Sequence, residues 1–252
     1  MKTMSLLVPT RKRPSFLKEY LDSLAQTTCN PDRIEVLVGY DNNDELTDEL
    51  FNSGIVNNYK FKVIPHKRER SLFLNRDYYN WLAEKSNSDY LFVNADDVRF
   101  VIPEWDRKVE AKVEMFCNDK PDRIVGVGVK DNTPKPKRDL PDFPCFPLVT
   151  KESFAYFKFV LHGFVPTWGA DYLFYLLYEG AGRYLAINDL VYMHHIGVHT
   201  HTAPKDETAA QIERTFNQLK MNPEHNVDVH KLTTIPKQSQ ELRTYLSSLG
   251  AK

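Results

Sequence analysis

Four short apolar runs, MSLLVPT, RIEVLVGY, KFKVIPH and DYLFVNAD, recur within the first hundred residues, and the segments between them carry helical spacing instead. In SFLKEYLDSLAQT the apolar residues fall at Phe16, Leu17, Tyr20, Leu21 and Leu24, one face of a helix with Ser15 as its N-cap. DNNDELTDELFNSG reads as a polar loop running into a short helix, and LFLNRDYYNWLAEKS as a full helix. Strand, helix, strand at this pitch calls for right-handed crossovers, so the first third predicts a largely parallel sheet.

The second half is less regular. RIVGVGVK predicts a strand, residues 131–149 a Pro-rich connection, and KESFAYFKFVLHG a helix. WGADYLFYLLYEG predicts a helix starting near Gly169, and RYLAINDLVYMHH one strand. From Thr202 the chain turns polar and helical, and residues 222–252 read as a loosely packed tail. At 252 residues with 42% hydrophobic content, one α/β domain has ample material for a core. The expected fold is a Rossmann-like, mostly parallel central sheet flanked by helices, a single domain with a C-terminal helical tail.

Charge and cysteine content narrow the function classes. The net charge of −1 supplies no global field toward nucleic acid or a membrane surface. Two local basic runs, HKRER and PKPKRD, are the exceptions, and the second reads as a solvated loop. Three widely spaced cysteines, Cys29, Cys117 and Cys145, argue against a disulfide framework and for a reducing compartment. The N-terminal apolar run is too short for a signal peptide, and no run reaches the roughly 18 residues of a membrane span. A cytoplasmic protein without a transmembrane segment is expected.

In a parallel sheet, ligands bind at the carboxyl ends of the strands. There the sequence places Thr10 and Arg11, Asp41, the His66–Arg70 run, and Asp96 with Asp97. Adjacent carboxylates at a strand end repel unless a cation sits between them, and Mg²⁺ or Mn²⁺ would take their oxygens while keeping sites for a diphosphate. The plain alternative is a solvated Asp-Asp turn. Asp41 has a similar alternative as an Asx-turn residue. HHIGVHTH packs four histidines into eight residues. On a strand His194 and His195 face opposite ways, and no further ligand has zinc spacing.

Taken together, VPTRKRPSFLKEYLDSLAQT, EVLVGYDNNDE and DYLFVNADD resemble the nucleotide-binding half of family 2-type glycosyltransferases with the GT-A fold. The resemblance covers residues 3–105 well and 160–200 loosely. It implies a donor half at 1–105, an acceptor and catalytic half at 106–201, and a helical extension at 202–252. By the same resemblance Pro9, Thr10 and Arg11 line the nucleotide pocket, and Asp41 accepts from the base, as a carboxylate can. Arg70, Asn75 and Arg76 fall where the family holds the sugar diphosphate, which suits a guanidinium fork. The family DxD reads Asn94-Ala95-Asp96 and is followed by Asp97, so an amide replaces the first acid.

Asp96, Asp97, His195 and His199 are the metal ligands this resemblance implies. Asp171 matches the general base of inverting members, although the usual Glu-Asp pair reads Ala170-Asp171. The alternative for Asp171 is a helix N-terminal acid favoured by the macrodipole. The implied activity is metal-dependent transfer of a hexosyl or pentosyl group from a UDP- or GDP-type sugar to an acceptor hydroxyl, with inversion. A glycan acceptor fits the charge better than a nucleic acid. A non-catalytic nucleotide- or glycan-binding module is one alternative. A sugar-1-phosphate nucleotidyltransferase is another, but VPTRKRP lacks the Gly-rich loop such an enzyme needs.

Overall fold

The computed structural model describes residues 2–133, 143, 145–163, 170–196 and 234–248, with side chains in the last segment from 237. Seven strands form one sheet in the order β3-β2-β1-β4-β7-β6-β8: β1 (Met4–Pro9), β2 (Ile34–Asp41), β3 (Lys62–Arg68), β4 (Tyr90–Val93), β6 (Gly126–Val129), β7 (Pro147–Thr150) and β8 (Tyr184–Ile187). The first four are parallel, with Leu7 opposite both Leu37 and Val93, and Asp41 opposite Arg68. β7 runs against both of its neighbours, and β6 pairs with β8 in parallel. All six residues of β1 are buried, which is why its sequence reads as an unbroken apolar run rather than an alternation.

Alternate residues of the strands feed two layers of core. Leu6, Val8, Val36, Val38 and Phe92 pack with Leu17, Tyr20, Leu21 and Leu24 of α1 (Pro14–Thr27) and with Trp105 and Val109 of α4 (Trp105–Cys117). Leu7, Leu37, Leu91 and Val93 face the other way, toward Tyr79, Leu82 and α6 (Ala170–Gly180). The shorter helices are α2 (Glu45–Asn52), α3 (Trp81–Ala83) and α5 (Lys151–Phe157), and the chain's last described helix is α7 (Thr234–Ser248). Asp44 caps α2 by accepting from Thr47 N at 3.1 Å, and Thr150 caps α5.

Several sequence expectations change in detail. Ser15 is not the cap of α1: Arg13 holds that position without a side-chain bond, and Pro14 starts the helix because its missing N–H costs nothing there. The segment read as one helix from Leu72 begins instead as a π-helix, Asn75–Asn80, before the short α3. The wider coil lets Asn80 Oδ1 accept from Val160 N and Leu161 N at 2.8 and 3.1 Å, while its Nδ2 donates to Leu161 O at 2.8 Å. The helix expected through Gly163 stops at Phe157, where Lys158 adopts φ 62°. RYLAINDLVYMHH splits into β8 and β9 (Met193–His195), which leaves the main sheet to pair with β5 (Val98–Phe100). Sequence reading had placed neither β5 nor α4. The expected Pro-rich connection gives way to β7 at Pro147. Within the tail, α7 buries Leu242 and Leu246, and Ser239 Oγ donates to Leu177 O of α6 at 3.0 Å.

Candidate active site

Loop TRKRP, leaving β1 at Pro9, distributes its residues among the acids at the sheet edge. Thr10 is buried, its N–H donates to Gly39 O at 2.9 Å, and its hydroxyl donates to Asp96 Oδ2 at 2.6 Å. Arg11 Nε lies 2.9 Å from Asp41 Oδ2. Lys12 turns the chain at φ 53° and donates its N–H to Asp44 Oδ2 at 2.6 Å. Arg13 then reaches the acidic pair: Nε donates to Asp96 Oδ2 at 3.1 Å, Nη2 to Asp96 Oδ1, and Nη1 to Asp97 Oδ2 at 3.4 Å.

Asp96 is fully buried, and burial pushes its carboxyl up to about 6 against the pull of Arg13. Asp97 is lowered despite its own burial, because His195 and Arg13 stand beside it. The β5–β9 pairing explains this second neighbour. It sets Val98 opposite His195, so Asp97, one residue earlier, has His195 Nε2 at 3.5 Å from Oδ1. Asp97 Oδ1 is buried and accepts no hydrogen bond among the described residues. His194 is exposed, as strand alternation required, and His199 lies outside the described residues.

The other expected site residues are placed as follows. Asp41 ends β2 and is buried, not in the polar loop, and Tyr78 of the π-helix donates to its Oδ1. Asn75 starts that same π-helix and is buried. Asn94 is buried after β4 and its backbone carbonyl accepts from Tyr79, while its side-chain amide has no hydrogen-bond partner among the described residues. Ala95 packs half-buried against the core. Arg70 is half-buried in the loop beyond β3, and Arg76 turns to Asp77 at 2.9 Å with its guanidinium over Phe73. Asp171 opens α6, where its Oδ1 accepts from Tyr172 N at 2.9 Å.

Arg13 and Tyr78 are the partners that sequence reading missed. Arg13 had no signal that sets it apart from Arg11 in TRKRP. Tyr78 had none, because only a π-helix turns it toward Asp41. Among the described residues no three or more His, Cys, Asp and Glu are grouped to hold a metal ion. The donors that do face one another are Asp97 Oδ1 and His195 Nε2, and the orphaned carboxylate oxygen suits a divalent ion that takes its remaining ligands from a diphosphate and water. Asp96 has both oxygens taken by Thr10 and Arg13. A surface groove of about 510 Å³ between α4 and β8, lined by Lys112, Phe116 and Ile187 among others, shares no residue with this edge.

No protein-family model matches the chain, and no curated protein matches it in sequence. Solved structures do match in shape. S. aureus TarS 1-349 in complex with UDP superposes with a TM-score of 0.58 at 15% identity, over 76% of this chain and 60% of that one. The mannosyltransferase PcManGT from Pyrobaculum calidifontis, in complex with GDP-Man and Mn²⁺, gives 0.59 at 13% identity over 98% and 75%. The glycosyltransferase GlyE of Streptococcus pneumoniae TIGR4 gives 0.53 at 7% over 86% and 64%. The fold is GT-A. In this GT-A chain the TRKRP loop and the acidic pair sit at the carboxyl ends of parallel strands, as the strand order requires. The chain spans 60% of the TarS structure's length. Among the described residues no helix is long and apolar enough to cross a membrane.

Proposed function

We propose that the protein is a family 2-type glycosyltransferase that moves a hexosyl or pentosyl group from a UDP- or GDP-sugar to an acceptor hydroxyl with inversion. The observation that carries this is the cluster of Asp96, Asp97, Arg13 and His195 at the carboxyl edge of a GT-A sheet. Residues 1–105 form the donor half, 106–201 the acceptor half, and 202–252 the extension that contributes α7. Pro9, Thr10, Arg11 and Asp41 bound the nucleotide end. Asn75, Asn94 and Ala95 lie beside it, and Asn94 offers an unspent amide to a ribose hydroxyl. Arg70 in the loop after β3 and Arg76 in the π-helix would flank the diphosphate.

Asp97 and His195 would hold Mn²⁺ or Mg²⁺, with His199 as a further ligand and Asp96 behind them. When bound, the ion neutralises charge on the leaving diphosphate. Asp171 takes the acceptor's hydroxyl proton on a carboxylate oxygen as the new C–O bond forms and the bond to diphosphate breaks. Tyr172 and Tyr175, half-buried on α6 with Phe143 at 5.2 and 6.1 Å, give Asp171 aromatic neighbours of the kind a sugar ring stacks on, which favours a glycan acceptor. Three free cysteines fit a cytoplasmic setting.

Thermal melts with UDP and GDP, each with Mn²⁺ or with EDTA, test the proposal. A ligand at 100 times its dissociation constant stabilises the fold by about 2.7 kcal/mol. One nucleotide should raise the Tm only when metal is present. No shift with any nucleotide under either condition would remove the reading.

A further inference from the structure

The acid pair already has a cation beside it. Arg13 spans both carboxylates with three nitrogens, holding Asp96 by Nε and Nη2 and Asp97 by Nη1. The two neighbours of Asp97 lie at opposite oxygens of one carboxylate, Arg13 bonded to Oδ2 and His195 Nε2 3.5 Å from the unbonded Oδ1. A divalent ion taken up by Asp97 Oδ1 and His195 would therefore sit one carboxylate away from a fixed positive charge, which weakens its binding. The Arg13 guanidinium is also reachable by a ligand. Arg13 precedes α1, stacks over Phe16 at 5.6 Å and leaves 18% of its side chain exposed.

We propose that Arg13 is a resident counter-cation that competes with the divalent ion for Asp96 and Asp97 until a nucleoside diphosphate draws its guanidinium away, so that metal and donor load together. A diphosphate is the anion for this exchange: its oxygens match the guanidinium fork, and its charge offsets both cations at once. Arg13 is thus a positioning residue that ties metal affinity to the presence of donor. The inference rests on the glycosyltransferase reading above.

The test is Mn²⁺ binding, counted from free Mn²⁺ by electron paramagnetic resonance, with and without UDP or GDP. Wild type should bind Mn²⁺ weakly alone and more tightly with nucleotide, by a coupling within the usual range of about 5–150-fold. Arg13→Gln should bind Mn²⁺ alone about tenfold tighter than wild type, with the coupling correspondingly reduced. Its Tm should fall in EDTA and recover with Mn²⁺. Arg13→Lys keeps the charge without the fork, so its Mn²⁺ affinity should fall between the two, and it carries the comparison if the Gln variant does not fold. Equal or weaker Mn²⁺ binding in the folded variants would overturn the role of Arg13 while leaving the transferase reading intact. Wild type that binds neither nucleotide nor Mn²⁺ would overturn both.

Discussion

The donor edge and the acceptor helix of this protein hold their acids by different means. At the donor edge cationic side chains hold the acids of the site, Arg11 on Asp41 and Arg13 on Asp96 and Asp97, while Asp44 behind them accepts from the Lys12 and Thr47 N–H groups. On the acceptor side Asp171 sits at the start of α6, its Oδ1 accepting from Tyr172 N at 2.9 Å. Its position follows from α6, whose Leu173, Phe174, Leu177 and Tyr178 are buried against the sheet. Strand β6 makes room for that helix with glycine: a Cβ at Gly126 would meet the Tyr178 ring at 2.4 Å and Phe174 at 2.8 Å. An electrostatic edge tolerates changes of shape but not of charge, and a packed helix does the reverse.

The sharpest way to break this contrast is Asp171→Asn, which keeps shape and removes the base. Transfer to acceptor should fall by about 10²–10⁴-fold with unchanged nucleotide and Mn²⁺ affinity. Retained transfer would reduce Asp171 to a helix-terminal acid, and lost donor binding would move it to the donor edge. At that edge, Asp41→Ala and Asp97→Ala should separate. Asp41 is buried between Arg11 and Tyr78, so its removal takes a buried acceptor from both and should cost on the order of 3 kcal/mol in chemical denaturation, besides weakening nucleotide binding. Asp97→Ala should spare more of the stability and abolish the metal dependence of nucleotide binding. Equal unfolding free energies for the two variants would mean that the Asp41 pair holds no more of the fold than the metal acid does.

The smallest expected effect belongs to the packed side. Gly126→Ala should destabilise by about 1–3 kcal/mol, because two rings must shift to admit one methyl group. Its transfer rate should fall more than its nucleotide affinity, since the displaced element carries Asp171. A loss confined to nucleotide binding would show that α6 and the donor edge are not separable.

Local periodicity was sufficient to read β1 to β4, α1 and the convergence of acids at one edge: β1, β2 and β4 are buried on both faces and so spell themselves as apolar runs, while β3, at the sheet edge and only partly covered, showed itself by the short apolar core of KFKVIPH. Adjacent Asp96 and Asp97 also stated their own need for a cation. Which cation answers it depends on residues 83 or more positions apart, and no local pattern distinguishes Arg11 from Arg13 in TRKRP. The π-helix that turns Tyr78 onto Asp41 was hidden for a similar reason: the Asn80 at its end bonds to Val160 and Leu161, 80 or more residues away. β8 and β9 were read as one strand because both are apolar. Only the pairing of β5 with β9 separates them, and it is this long-range pairing that brings His195 to Asp97. What the sequence determined by itself is therefore the sheet and its charged edge, which arise from burial and spacing along the chain. What the tertiary structure decided is which charge meets which, because ion-pair partners are selected by distance in space and leave no periodicity in the sequence.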